Sequence, residues 1–270
     1  MLTFNMEVSM TTLASTLLGR PLWYELMTTD MKAAETFYQT VVGWTSASFP
    51  AAGRPYTIFN RLGNIPVAGV MTRPDEVKAP PFWAMYVGVP NLEAAAAHIT
   101  RLGGRECSPV IEVPSVGRMQ MMQDPQGAAF YIYQPASETP LPEGPAQVGD
   151  ASWHELMATD AAAALPFYSE VFGWQPGDAM DMGPMGKYYM FNRPHGAIGG
   201  MMNKPAAMGQ IPPNWQIYFR VADLDEAIAS IKANGGQIRN GPMDVPGGDR
   251  IVNAMDPQGG AFSLHARRAA

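Results

Sequence analysis

The chain has 270 residues, of which 47% are hydrophobic and 16% are charged, with a formal net charge of −6 and a pI near 5.2. This composition is typical of a globular protein with enough chain for two ordinary domains, and it is too apolar for a disordered chain. The negative charge excludes nucleic acid as an expected partner, and no apolar run approaches the roughly 20 residues of a membrane-spanning helix.

Four helices are predicted in chain order, each after an alternating, strand-like segment. The first begins after Asp30 in MKAAETFYQTVVGW, whose apolar residues recur at helical spacing. The others begin after Asn91, Asp160 and Asp223, whose side chains can accept hydrogen bonds from the first turn of a helix. Gly-Gly pairs end the second and fourth helices, and short β-type runs follow each helix. The pattern therefore predicts an α+β fold in which a β-α-β-β-β unit occurs four times.

An internal repeat organises the chain, because three separate blocks recur in the same order at nearly constant offsets of 130 to 132 positions. The blocks are WYELMTTD (Trp23–Asp30) and WHELMATD (Trp153–Asp160), FYQTVVGW (Phe37–Trp44) and FYSEVFGW (Phe167–Trp174), and DPQGAAF (Asp124–Phe130) and DPQGGAF (Asp256–Phe262). Two homologous domains are expected, at residues 18–135 and 149–267. A flexible segment at 1–17 precedes them, and a linker rich in Pro, Gly and small polar residues joins them at 136–148.

The expected location is the cytoplasm. Cys107 is the single cysteine of the chain, so an intramolecular disulfide is impossible. The first residues carry no basic region, and Glu7 interrupts their apolar part, which argues against a secretory signal. The oligomeric state stays open, although two fused domains make a monomer plausible.

Taken together, the paired units, the D-x-x-x-A-x-x-F-Y-x-x-x-x-G-W block and the terminal D-P-x-G strand resemble the vicinal oxygen chelate superfamily. This superfamily includes glyoxalase I, extradiol dioxygenases and bleomycin-resistance proteins. The resemblance covers nearly the whole chain after Thr16 and is closest to tandem-domain members. It implies that each domain curls eight strands around a cleft, and that metal-using members hold their ligands at fixed strand positions.

The residues at those ligand positions do not form a conventional metal site. The resemblance places them at Trp23, Ala68–Gly69, Ala84 and Tyr131 in the first copy, and at Trp153, Ile198–Gly199, Gln216 and Ser263 in the second. A divalent transition metal needs three or four converging N, O or S donors, so no metal and no other cofactor is expected. His154 lies one residue from a ligand position, so strand alternation turns it toward the helices as a packing residue.

Strand alternation predicts an aromatic cleft face with a few polar groups, the usual composition of a small-molecule pocket. Bulky residues that simply fill the cleft are the alternative, and for the two tryptophans alone this is at least as probable. The expected ligand-binding residues are Trp23, Glu25, Met27, Tyr86, Tyr131 and Tyr133 in the first copy, and Trp153, Glu155, Met157, Gln216, Tyr218, Ser263 and His265 in the second.

Glu25 and Glu155 are the candidate catalytic residues, because a mid-strand carboxylate must either find hydrogen-bond partners or hold a proton. Their identity in both copies favours a structural anchor over a general base.

The function predicted from these features is metal-free binding or sequestration of an apolar or aromatic small molecule. The first alternative is a metal-dependent lyase, isomerase or oxygenase of the glyoxalase type with non-standard ligands. The second is a structural protein whose clefts are filled by its own side chains.

Overall fold

The computed structural model describes residues 17–49, 54–137 and 144–267, so residues 1–16 of the expected N-terminal segment and 138–143 of the expected linker lie outside it. The first copy contains β1 (Pro21–Thr28), α1 (Met31–Val42), β2 (Thr45–Ser48), β3 (Tyr56–Arg61), β4 (Ile65–Thr72), β5 (Phe82–Gly88), α2 (Leu92–Arg101), β6 (Arg105–Glu106), β7 (Ile111–Val113), β8 (Gly117–Gln123) and β9 (Ala129–Pro135). The second contains β10 (Ala151–Ala158), α3 (Ala161–Phe172), β11 (Gln175–Asp181), β12 (Lys187–Arg193), β13 (Gly196–Asn203), β14 (Asn214–Arg220), α4 (Leu224–Ala233), β15 (Gln237–Asp244), β16 (Arg250–Met255) and β17 (Ala261–Ala266), with 3-10 turns at Gly183–Met185 and Ala206–Met208.

Each copy forms one sheet, and the two sheets have the same strand order. The first runs β2-β3-β4-β1-β5-β9-β8-β6, with the short β7 also paired to β8, and the second runs β11-β12-β13-β10-β14-β17-β16-β15. β1 pairs in parallel with β4, and β5 with β9, whereas the outer strands pair antiparallel. The predicted α+β fold of repeated β-α-β-β-β motifs is confirmed. The second of these motifs, which begins with β5, differs only in that its edge strand is split into β6 and β7.

Helix capping explains where the four helices begin. Asp30 accepts from the main-chain N of Ala33 at 2.9 Å, and Asn91 and Asp160 make the equivalent bonds. Asp223 accepts from two N–H groups of the first turn of α4. Because the exit from α1 needs a left-handed residue, Gly43 sits there with φ of 83°.

The chain falls into two compact units that cut across the repeat. One contains the described residues of Met1–Leu22, Met85–Gly144 and Glu155–Trp215, and the other contains Trp23–Ala84, Pro145–His154 and those of Gln216–Ala270. Each unit therefore combines one half of the first copy with one half of the second. The sheets follow the sequence repeat, whereas the compact units do not.

The repeated motifs bind one another inside each unit. In the first unit, Tyr168 of FYSEVFGW donates to Asp124 of DPQGAAF at 2.9 Å and accepts from the indole N–H of Trp215 at 3.2 Å. Trp174, which ends the same block, donates to the main-chain oxygen of Gly19 at 2.6 Å. The sequence blocks shared by both copies are therefore hydrogen-bonded to each other, which gives their repetition a structural reason.

The second unit repeats these bonds with the copies exchanged. Tyr38 donates to Asp256 at 3.0 Å and accepts from Trp83 at 3.0 Å. Trp44 donates to the main-chain oxygen of Gly149 at 2.9 Å. Burial raises the pKa of the Asp256 carboxyl above its usual range, and burial beside this acid raises the pKa of Tyr38 well above 10.

Among the helices of the described ranges, none is both long and apolar enough to span a bilayer.

Candidate functional site

The packing of phenylalanines against helices fixes which face of each sheet is the cleft face. Phe262 packs edge-to-face on the rings of α1, and Phe130 packs on the rings of α3. Their neighbours Ser263 and Tyr131 therefore point to the opposite face, because side chains alternate along a strand. This register places the predicted cleft residues of β9 and β17 away from the helices.

His154 lies on the helix-facing side, where its partner is the residue that replaces it in the first copy. Its ring stacks on Tyr24 with centroids 5.7 Å apart, and its Nε2 lies 2.6 Å from the Tyr24 hydroxyl. Tyr24 also meets Phe219 edge-to-face, and the Tyr24 and His154 side chains are both buried. The difference between the two octets thus yields one hydrogen-bonded pair, which engages Nε2 of His154.

On the cleft face of the first copy's initial half, a tyrosine ring takes the space of a missing side chain. A Cβ built on Gly69 would lie 2.0 Å from the hydroxyl oxygen of Tyr56, so this hydroxyl covers the glycine. Trp23 donates its indole N–H to the same hydroxyl at 2.9 Å. Glu25 pairs with Gly69 across β1 and β4, so its side chain leaves the sheet next to the glycine that this hydroxyl covers. That environment suits an anchor between side chains.

The second copy has the same feature, because the ring of Tyr188 covers Gly200, with a hypothetical Cβ 2.0 Å from a ring carbon. Glu155 is buried, with 7% of its surface exposed, and Met157 is buried as well. Met27, the first-copy equivalent of Met157, is also buried.

The second half of the first copy presents a wall of tyrosines. Tyr86 and Tyr131 stack with centroids 4.3 Å apart and planes 10° from parallel. Tyr133 meets Tyr86 edge-to-face at 6.4 Å and donates its hydroxyl to the main-chain oxygen of Val116 at 2.8 Å. Burial raises the pKa of Tyr133. Tyr86 and Tyr131 are buried and Tyr133 is partly exposed, so the three rings form a neutral wall held in place by their own contacts.

The second half of the second copy carries polar groups in the same places. The Asn253 side-chain amide donates to Ser263 Oγ at 2.8 Å, to the Tyr218 hydroxyl at 3.1 Å and to Gln216 Oε1 at 3.3 Å. Ser263 and Tyr218 are buried, whereas Asn253, Gln216 and Trp153 are partly exposed. The structure thus joins three of the predicted residues through Asn253, which sequence reasoning missed.

His265 closes one end of this polar strand face. Its Nε2 lies 2.9 Å from an Asp249 carboxylate oxygen and its Nδ1 lies 2.9 Å from Ser152 Oγ. The Ser152 hydroxyl also donates to the main-chain oxygen of Tyr218 at 3.2 Å. Ser152 is thus hydrogen-bonded both to the His265 ring and to the main chain of Tyr218. Asp249, His265 and Ser152 form a hydrogen-bonded brace across the strands.

The donor set at the family's metal positions does not fit a transition metal. In the second copy, Gln216 and Ser263 share one amide donor, and the remaining position is the indole of Trp153. In the first copy, Tyr131 is stacked on Tyr86 and Ala84 has no donor. Within the part of the chain that the structure describes, no three His, Cys, Asp or Glu side chains converge.

Two arginines that could have met a ligand carboxylate are instead paired with helices. Arg250 makes two hydrogen bonds to Asp225 in the first turn of α4, at 2.8 and 3.1 Å, and Arg118 pairs with Glu93 in the first turn of α2. These contacts lower the pKa of Asp225 and of Glu93.

Asn253, Tyr56 and Tyr188 are the cleft residues that the sequence analysis did not single out. Alignment of the two copies contains a signal for each. The pairs Tyr56 with Gly69 and Tyr188 with Gly200 recur together, and Asn253 replaces Met121 next to two other apolar-to-polar changes.

The comparisons with known proteins agree with this architecture. The sequence model of the Glyoxalase/Bleomycin resistance protein/Dioxygenase superfamily matches residues 151–264. A Mycobacterium tuberculosis (strain CDC 1551 / Oshkosh) protein named "Putative glyoxylase CFP32" is 31% identical over 250 residues, covering 91% of this chain and 94% of the relative. The chain belongs to this superfamily. The expected resemblance to vicinal oxygen chelate proteins is confirmed.

Other members resemble the chain at lower identity. The "Anthracycline biosynthesis protein DauV" of Streptomyces sp. (strain C5) is 29% identical over 272 residues, covering 93% of this chain and 94% of the relative. The crystal structure of the Mn(II)-bound glyoxalase from Novosphingobium aromaticivorans has a TM-score of 0.61 at 17% identity, covering 93% of this chain and 82% of that chain. The 2,3-dioxygenase LapB from Pseudomonas sp. KL28 has a TM-score of 0.63 at 15% identity, covering 94% of each chain. At these identities the solved structures share the fold.

Proposed function

We propose that this superfamily member binds or sequesters an apolar or aromatic small molecule, without a metal and in the cytoplasm. The observation that carries the proposal is the bonding at the family's metal positions. Gln216 and Ser263 are both engaged by the Asn253 amide, and Tyr131 is engaged by a stacked ring. These neutral groups supply no carboxylate or thiolate charge and no imidazole nitrogen for a cation.

The tyrosine rings of the first copy favour an aromatic ligand. Stacked and edge-to-face rings gain energy from flat apolar partners beyond the area they bury. Tyr133 is partly exposed beside the Tyr86–Tyr131 stack, with Met119 and Met121, also partly exposed, on the neighbouring strand β8. Methionine adapts its shape to varied apolar partners. One relative of comparable length is named for anthracycline biosynthesis, and the proposal agrees with that name.

Glu25 and Glu155 act in this proposal as buried anchors of the cleft wall. Glu25 leaves the sheet next to the glycine that the Tyr56 hydroxyl covers, and this hydroxyl already accepts from Trp23. A general-base role remains the alternative for either acid, and it is tested together with binding below.

Two measurements test the proposed function. Elemental analysis of untagged protein purified without chelators should find less than stoichiometric nickel, zinc, iron or manganese. Tryptophan fluorescence should be quenched by fused-ring aromatic probes, with equal affinity before and after dialysis against a chelator. The matched control is a saturated-ring analogue of each probe, which should bind at least tenfold more weakly because it cannot stack.

The metal-dependent alternative makes the opposite prediction. A stoichiometric transition metal, together with turnover of a glutathione hemithioacetal or a catechol that stops on chelation, would overturn metal-free binding. Absence of both metal and probe binding would favour clefts filled by the protein's own side chains.

A further inference from the structure

Three cleft-facing positions in the last half of each copy differ together between the copies. All three are apolar or aromatic in the first copy, and all three carry a neutral hydrogen-bonding group in the second. In each pair the first-copy residue comes first: Ala84 and Gln216, Met121 and Asn253, Tyr131 and Ser263. The backbone positions are the same, since Met121 pairs with Tyr131 just as Asn253 pairs with Ser263.

The second-copy groups form one oriented network. The Asn253 side-chain nitrogen lies 2.8 Å from Ser263 Oγ, 3.1 Å from the Tyr218 hydroxyl and 3.3 Å from Gln216 Oε1. The Gln216 atom that faces this nitrogen must then be the carbonyl oxygen, because a nitrogen there would place two donors together. Flipping both amides together would exchange the donor and the acceptor but leave one of each on the open side. The two amides thus have a fixed relative orientation.

This orientation leaves one donor and one acceptor uncommitted. Asn253 Oδ1 and Gln216 Nε2 make no hydrogen bond within the described residues, although both side chains are held by their other atoms. The two amides share one hydrogen bond, and the second donor and acceptor, which would close a cyclic amide dimer, are left over. Both residues are partly exposed, so a ligand can reach these atoms.

We infer that the second-copy cleft face selects a neutral, planar ring that carries a C=O acceptor next to an N–H donor, as in a cyclic amide or imide. The ligand carbonyl accepts from Gln216 Nε2, and its N–H donates to Asn253 Oδ1. This deepens the proposed function and rests on it, because it names the polar edge of the aromatic ligand. It also assigns hydrogen-bonding selection to the second copy rather than to the first.

Charge on this face also favours a neutral ligand. The one imidazole on the same strand face, His265, is already paired with Asp249 at 2.9 Å. Arg250, at the start of β16, is already held by two bonds to Asp225. An anionic ligand would have to displace one of these carboxylate partners, whereas an amide edge requires no such exchange.

The test compares two fluorescent probes with the same fused-ring system. Lumichrome offers ring N–H groups next to carbonyls, and 1,3-dimethyllumichrome offers the same rings and carbonyls with both nitrogens blocked. Wild-type protein should bind lumichrome about tenfold more tightly, the value of one well-formed hydrogen bond. Asn253→Met installs the first-copy residue and should abolish that preference, so that both probes bind with about equal affinity. The affinity for the methylated probe should change little.

Two further variants make the result decisive. Should Asn253→Met fail to fold, Gln216→Ala carries the same test, since it leaves the bonds from Asn253 to Ser263 and Tyr218 in place. Asn234→Met is the matched control, because it makes the same substitution at an exposed residue after α4, and it should not change the preference. Equal binding of both probes by the wild type, or a preference that survives both Asn253→Met and Gln216→Ala, would overturn the inference while the proposed function stands. Failure of both probes also overturns the inference, and only failure of the wider aromatic panel as well would overturn the proposed function.

Discussion

The buried tyrosine of each FY block provides a direct test of whether the repeated motifs are structural. Tyr168→Phe removes one oxygen atom and leaves the ring packing in place. In doing so it deprives Asp124 of a hydroxyl donor at 2.9 Å and the indole N–H of Trp215 of its acceptor at 3.2 Å. All three side chains are largely buried, so water cannot readily replace the lost partners.

The magnitude follows from these two bonds. A hydrogen bond to a charged group contributes about 1.5–3 kcal/mol, and an unsatisfied buried donor costs about 1–3 kcal/mol. Removing the buried hydroxyl itself returns part of this, because phenylalanine is easier to bury than tyrosine. We expect Tyr168→Phe to lower the free energy of unfolding by about 2–4 kcal/mol. Tyr38→Phe should cost the same, since its two bonds are each 3.0 Å long.

The destabilisation caused by Tyr168→Phe should grow as the pH rises. Burial raises the pKa of Asp124, so the stability contributed by its proton is fully present below the unfolded pKa and is lost as pH rises through the folded pKa. The Tyr168 hydrogen bond lowers that pKa, so Tyr168→Phe raises it further and moves the loss to higher pH. The variant should therefore be relatively more destabilised at about pH 7 than at about pH 4, where the carboxyl holds its proton more often.

Urea unfolding at both pH values measures this effect, provided that the slope of the transition is unchanged. Tyr133→Phe is the matched control, because its hydroxyl meets a single main-chain oxygen and its side chain is only partly buried. It should cost about 1 kcal/mol or less. If Tyr168→Phe and Tyr38→Phe cost no more than this control, the motif bonds are not what holds each unit together.

Three further changes test the cleft and its support. His154→Tyr should lower the free energy of unfolding by about 1–3 kcal/mol, since Tyr24 already lies 2.6 Å from the ring and leaves no room for a longer side chain; an unchanged urea midpoint would contradict this. Gly200→Ala should displace the ring of Tyr188, which lies 2.0 Å from the new Cβ, and lower probe affinity at least tenfold; unchanged affinity would mean that this ring is not part of the cleft wall. Glu155→Gln removes the charge of a buried acid and should lower the free energy of unfolding by about 1–3 kcal/mol, as expected for an anchor of the cleft wall; a loss of probe affinity with an unchanged urea midpoint would instead favour a role toward the ligand.

Local chemistry could be read from the sequence wherever neighbouring residues decide it. The helix starts at Asp30 and Asp223 follow from side chains that cap the next turn, and the structure contains those bonds. The helix-facing side of His154 follows from strand alternation alone. The identity of its partner does not, because Tyr24 is 130 residues away and meets it only through the packing of one copy on the other. For that reason strand alternation identifies His154 as a packing residue, whereas the cost of His154→Tyr follows only from the observed pair.

The compact units were beyond sequence reasoning for the same reason. An internal repeat implies that each copy closes on itself, and the strand order of each sheet agrees. Yet the bonds from Tyr168 to Asp124 and from Trp174 to Gly19 join different copies. Identical motifs in both copies satisfy either arrangement, so the sequence alone cannot distinguish them. Only the distances between specific side chains do.

The same comparison of copies explains why the clefts, and not the motifs, carry the functional signal. Residues that fasten one copy to the other must be kept in both, so Tyr38 and Tyr168 are equivalent and make equivalent bonds. Residues that meet a ligand are free of that constraint and can differ. Met121 and Asn253 differ in this way, on strands whose backbone pairing is the same. In a fused repeat, agreement between copies therefore indicates structural support, and coordinated disagreement on one sheet face indicates where recognition can diverge.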